Sequence, residues 1–281
     1  MGQSDLSQYD VPRIGHSLIT MIEPHPGEEY AYNRWYEDDH FYAAMCCPWM
    51  FAGKRWVATR ELQGLRMPAK SNLAEPLGKG CYLTVYWIAA DHFDEYSNWP
   101  SRAANKFKRG DRRTHLFVKR DLVFTAFQEY IGPVYRDKTG PRDIHALDYP
   151  WSGLVLEVVE SPDAESRPKL EQWLREEHLP KSLNGSPAAM CLLFRTHPEP
   201  DLSTPKRAED RELLTPSMET TRHDRRVTLL WFLEKDPREC WSSHFQSEKD
   251  RIADGHLGHM DFCAPFIPTF QGTDRYLDEL R

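Results

Sequence analysis

The sequence predicts an α+β protein in which two βαββαβ units follow one another and pack sheet against sheet. Three observations carry this. The chain echoes itself: Trp35-Tyr36-Glu37-Asp38-Asp39-His40 returns as Trp173-Leu174-Arg175-Glu176-Glu177-His178, and Thr84-Val85-Tyr86-Trp87 returns as Thr228-Leu229-Leu230-Trp231. Asp91 and Tyr96 recur as Asp236 and Trp241, and Phe127-Gln128 as Phe270-Gln271, in the same order and at offsets of 138 to 145 residues. Strand-like and helix-like stretches also alternate in one order twice, and 281 residues suffice for two small units with a real core.

The elements of the first unit follow from local chemistry. His16 to Glu23 is β-branched and apolar and is bounded by prolines, which reads as a strand. Glu28 to Met45 contains no glycine or proline and follows Pro-Gly, so it reads as a helix. Ala52 to Glu61 alternates, and Cys81 to Ile88 is an apolar run; both read as strands. Asp91 to Lys108 opens on an acidic cap and reads as a helix bent or split at Pro100. Asp121 to Tyr130 closes the unit as a strand.

The second unit repeats the order. Leu154 to Val159 reads as a strand, Ala164 to Leu183 as a helix and Ala188 to Thr196 as a strand. Val227 to Leu233, Asp236 to Ala253 and Phe266 to Gln271 then read as strand, helix and strand. His197 to Arg226 lacks apolar periodicity and reads as a surface excursion, with the shorter Gly64 to Lys79 in the equivalent place. The division is 1–145 for the first repeat and 146–281 for the second, with the insertion at 197–226. Each four-stranded sheet has helices on one face only, so the two bare faces should meet and form a barrel-like interior.

Composition narrows the function. There are 36 Lys+Arg against 43 Asp+Glu, a net charge of −7 with no basic block, which argues against nucleic acid as a partner. No apolar window is long enough to cross a membrane and no secretory signal opens the chain, so the expected location is cytoplasmic. The 6 cysteines are sparse and form no CxxC, so neither a zinc site nor a redox dithiol is indicated. His256, His259 and Asp261 have ligand-like spacing but read as a solvated turn, and no metal is expected. No glycine-rich phosphate loop is present. The 9 Trp, 12 Tyr and 13 Phe are the material for a core and for pockets that stack on flat substrates.

Asn33-Arg34-Trp35-Tyr36-Glu37-Asp38-Asp39-His40, running on to Pro48 and then Ala52-Gly53-Lys54-Arg55-Trp56, resembles the dimeric α+β barrel (ferredoxin-like) superfamily, in its EthD-like branch. Gln172 to Pro180 fits the same pattern, so nearly the whole chain resembles two tandem copies. The resemblance implies an intrachain pseudo-dimeric barrel, with room for further homo-oligomers. It also implies chemistry between helices and sheet, most often by histidine assisted by tyrosine or a carboxylate.

The reading that follows is a cofactor-independent lyase, isomerase or cyclase acting on a small aromatic or polyketide-like carbonyl compound. His40 would be the general base, because imidazole takes and gives a proton near neutrality, and Tyr36 or Tyr86 would hold the enolate. At helical spacing Tyr36 shares the His40 face while Trp35 lies on another. His178 and His16 are the further acid–base candidates, and Trp35, Trp56 and Trp87 the candidate stacking residues. Two alternatives stand beside this reading. One is a non-catalytic small-molecule-binding or stress-response module with structural histidines; the other is a haem-binding or oxygen-dependent monooxygenase.

Overall fold

The computed structural model describes residues 12–96, 119–198 and 222–281. The first half contains β1 (Ile14–Pro24), α1 (Glu29–Trp35), a π-helical turn (Tyr36–His40), α2 (Phe41–Met45) and β2 (Met50–Val57). It continues with the short α3 (Arg60–Gln63), β3 (Tyr82–Ala89) and β4 (Arg120–Tyr135). The second half contains β5 (Gly153–Glu160), α4 (Arg167–Trp173), a π turn (Leu174–His178), α5 (Leu179–Leu183) and β6 (Ala188–Thr196). Then come β7 (Arg226–Leu233), α6 (Pro237–Cys240), a π turn (Trp241–Phe245), α7 (Glu248–Asp254) and β8 (His259–Pro268). The expected helix at Asp91 to Lys108 is described only over 93–96, and most of the expected excursion at 197–226 lies outside the described residues.

Among the described residues eight strands form one closed barrel in the order β1-β3-β2-β8-β5-β7-β6-β4, and each of their pairings is antiparallel. Each half supplies four adjacent strands in a ferredoxin-like order. Two seams join the halves. The β4–β6 seam runs from Gln128↔Thr196 to Tyr135↔Met190, whereas β2–β8 pairs only at Trp56↔Pro268 and Val57↔Ile267. The two bare sheet faces meet, as the pattern predicts. Trp56, Trp87, Trp151, Phe194 and Phe232 fill the interior with stacked and tilted rings.

Strand register corrects one of the repeats. Trp87 points into the barrel and stacks on Phe194 at 5.7 Å. Trp231, its sequence echo, points toward the helices, where its indole N–H donates to Glu157 at 2.8 Å and its ring meets Phe245 edge-on. A slip of one residue reverses the face of every side chain in a strand, so Trp231 occupies the place of Tyr86. The last strand also begins earlier than expected, at His259 rather than near Phe266. Pro265 suggests a strand end, but it pairs with Val155 on one side while the β2 ladder on the other begins only at Ile267.

Candidate functional site

The first of two matching side-chain clusters lies between the helices and sheet of the first half. Tyr82, Thr84 and Tyr86 alternate on β3 toward the helices, and Tyr36 reaches down so that its hydroxyl lies 3.1 Å from that of Tyr86. Gly53 makes this possible. A Cβ there would meet Tyr86 Cδ1 and Met45 Sδ, each at 2.7 Å. Burial holds the Tyr86 phenol well above its ordinary pKa, helped by the neighbouring Tyr36.

The π turn sets the position of His40. In an α-helix Trp35 and His40 would sit on different faces. Here the Phe41 N–H donates to Tyr36 O, five residues back, and stacks residues five apart. The His40 ring therefore lies on Trp35 at 4.7 Å and 25°, with Tyr36 edge-on at 5.1 Å. The second half repeats the device: Trp173 and His178 are 4.8 Å apart across the π turn Leu174–His178.

Burial, with the nearby cations Arg120 and Arg55, pushes the His40 pKa down to about 3, so the ring is neutral throughout the neutral range. Arg120 donates to the Tyr32 hydroxyl at 3.0 Å, and burial pushes Tyr32 up to about 12. Arg55 is buried and pairs with Glu37 at 3.1 Å. None of Arg55, Glu37 and Arg120 stands out in the sequence as a site residue. The one usable signal is a charged Arg55 inside an alternating strand, next to the buried Trp56.

The remaining candidates lie elsewhere. His16 sits at the start of β1, stacked on Phe93 at 4.1 Å with His197 at 5.2 Å; burial, and then His197, lowers its pKa to about 4. Trp56 and Trp87 face the barrel interior, on the opposite side of the sheet from Tyr86 and Trp35. His178 is buried with its Nε2 2.5 Å from Glu248 Oε1. Glu160, His259 and Asp261 do meet across β5 and β8, so the expected turn is the start of a strand. Glu160 is held there by Arg226 and Arg222, each at 2.9 Å, and Asp261 accepts from Asn72 at 2.8 Å.

In the second half Glu157, Trp231, His178 and Glu248 stand in the corresponding place, and Arg251 Nε donates to Glu248 at 2.7 Å. Burial and the Glu248 charge hold the Glu157 carboxyl well above the usual range.

Both half-buried histidines bear on stability. Their folded pKa values, about 3 and about 4, lie below the ordinary 6.5, so below pH 6.5 the unfolded chain binds more protons than the folded one. Stability is therefore expected to fall as pH drops from 6.5 toward 4, by about 1 kcal/mol per histidine between pH 6.5 and 5 after allowance for solvent screening. Urea midpoints across that range test this. His40→Gln should flatten the profile, and an unchanged slope in that variant would contradict the assignment.

No family model matches this chain, and neither does any curated protein. Solved structures do. An anthrone oxidase-like protein aligns over 92% of this chain and 92% of its own, with 7% identity and a TM-score of 0.53. A dye-decolorizing protein from V. cholerae aligns over 93% and 96%, with 8% identity and a TM-score of 0.46. A Rhodococcus jostii DypB variant in complex with heme aligns over 92% and 94%, with 10% identity and a TM-score of 0.45. At such identities the likeness is one of fold, that of the dimeric α+β barrel. The expected lyase, isomerase or cyclase is overturned by the anthrone oxidase-like neighbour, whose name is that of an oxidative protein.

Haem iron takes an axial side chain, most often histidine but also cysteinate, tyrosinate or methionine, beside a flat cavity. His178 does not fit, because Glu248 holds its Nε2. The cavity of about 260 Å³ at the barrel end, lined by Asn72, Leu73, Phe124 and Arg226 among others, has no histidine among its described lining residues. The described lining of that cavity does not fit haem.

Proposed function

We propose that the chain is an oxygen-dependent monooxygenase or oxidase acting on a small aromatic carbon acid between helix and sheet of the first half. The observation that carries this is the contrast between halves. One framework holds Tyr36, Tyr86, Tyr32 and a neutral His40 near two arginines in the first half; an interlocked Glu157, His178, Glu248 and Arg251 fill it in the second. The neighbour named anthrone oxidase-like gives a chemical precedent for the first arrangement. The paired Trp-x4-His π turns also support an EthD-like unit duplicated at 1–145 and 146–281.

The chemistry follows from charge. The positive field of Arg120 and Arg55 that disfavours a charged imidazole favours a substrate carbanion or enolate. Neutral His40 accepts the proton, and the nearby anion then stabilises its imidazolium. The substrate anion transfers an electron to O₂, and the radicals combine to a hydroperoxide. Loss of water then breaks the O–O bond and the second C–H bond. An activated methylene plus O₂ thus gives a ketone plus H₂O, with all four electrons drawn from substrate carbon. The Tyr36–Tyr86 pair holds the developing oxyanion.

Dissolved-oxygen uptake with anthrone tests this reading. One O₂ per anthraquinone formed, faster than the spontaneous oxidation, is the expected result. Uptake no faster than without protein would overturn it. Tyr86→Phe is expected to lower kcat at least tenfold while changing stability by about 1 kcal/mol.

A further inference from the structure

Arg55 presents a problem that its neighbours do not solve. It lies on β2, 1% exposed, with its guanidinium 3.8 Å from the Tyr82 ring centre and 4.6 Å from that of Tyr36. Nη1 is fully used, donating to Asn33 Oδ1 at 2.5 Å and Glu37 Oε1 at 3.1 Å. Nε and Nη2 are buried and have no hydrogen-bond partner among the described residues. These two nitrogens share one edge of the guanidinium, the edge that meets a carboxylate with two parallel hydrogen bonds.

The neighbours cannot turn to fill that edge. Glu37 Oε2 accepts from the Gly272 N–H at 2.7 Å, and Asn33 Nδ2 donates to the Thr273 carbonyl at 3.0 Å. Both partners are tied to the segment after β8, so Arg55 is clamped on one edge and unpartnered on the other, among the described residues. A buried charged donor without an acceptor is unfavourable, and ring stacking offsets only part of that. Such an arrangement is expected where a ligand supplies the missing acceptors.

We infer that the Nε–Nη2 edge of Arg55 is a bidentate site for a planar aromatic anion whose two oxygens share one negative charge. This deepens the proposed function and rests on its placement of substrate in the first-half space. It specifies the substrate class: an aryl carboxylate or an ionised hydroxy-ketone, with Tyr36 and Tyr82 holding the guanidinium plane against it.

The probe is 3-hydroxy-2-naphthoate, compared with its methyl ester, by quenching of tryptophan fluorescence in the full chain. The acid is expected to bind at least thirtyfold more tightly than the ester, and Arg55→Lys, which keeps the charge and loses the fork, to reduce that preference to threefold or less. Should Arg55→Lys fail to fold, the wild type still decides. The acid, and not the ester, should shift one buried arginine Nε–H resonance in ¹⁵N NMR. Equal affinities, no binding of either compound, a preference retained in Arg55→Lys, or no Nε–H shift would each overturn the inference. Naphthoate has no oxidisable methylene, so binding discrimination without oxygen uptake from anthrone would remove the oxidative reading and leave this one standing.

Discussion

Replacing Glu248 by alanine is expected to destabilise the protein by about 3–5 kcal/mol, because it removes the one carboxylate that joins a buried histidine to an arginine. Glu248 is 0% exposed and bonds His178 Nε2 at 2.5 Å and Arg251 Nε at 2.7 Å. Burial alone would raise its pKa, but His178 and Arg251 bring it below the ordinary value. Without it, His178 loses its acceptor and Arg251 loses its carboxylate, while Glu157 keeps an oxygen with no partner. Glu248→Gln preserves shape and some hydrogen bonding, so it should cost less. Urea unfolding monitored by circular dichroism checks the order Ala worse than Gln. Equal losses would mean that the charge alone, rather than shape or neutral hydrogen bonding, is what the site needs.

Trp56→Ala is expected to have a comparable effect, about 3–5 kcal/mol, for a different reason. Trp56 is 0% exposed, meets Phe232 of the opposite sheet at 6.4 Å, and forms one of the two residue pairs of the β2–β8 seam. Its removal hollows the interior where the barrel is held by the fewest ladder bonds. Hydrogen exchange should accelerate at Val57 and Ile267 before it does along Gln128 to Tyr135. Uniform acceleration around the barrel would show that the two seams open together.

Much of this architecture was legible in the residues. The β-branched runs, the proline boundaries and the Trp-x4-His echo lead to two sheets with helices outside, and the barrel follows from their bare faces. The candidate space was partly legible: Tyr36, Tyr86, His40 and Trp35 do meet. Two geometric facts were not. A periodicity of 3.6 residues separates Trp35 from His40, and only the π turn brings them together. Sequence alignment matches Trp87 to Trp231, and only strand pairing shows that they face opposite ways. Arg55 was hidden for a third reason. A buried arginine is recognised by its partners, and those are Asn33 and Glu37, 22 and 18 residues away.

The two halves also share a single chain, and this changes how such a barrel can vary. In a barrel assembled from two identical chains, symmetry copies every substitution into both cavities, and dilution separates the halves. Here one codon alters one cavity. Leu174 can stand where the first half has Tyr36, and Trp231 where it has Tyr86, without cost to the other side. On the proposed reading the second half carries no chemistry and can serve as a rigid wall, while the first keeps its phenols and the buried Nε–Nη2 edge of Arg55. The joining of the halves is intramolecular, so its equilibrium is independent of protein concentration.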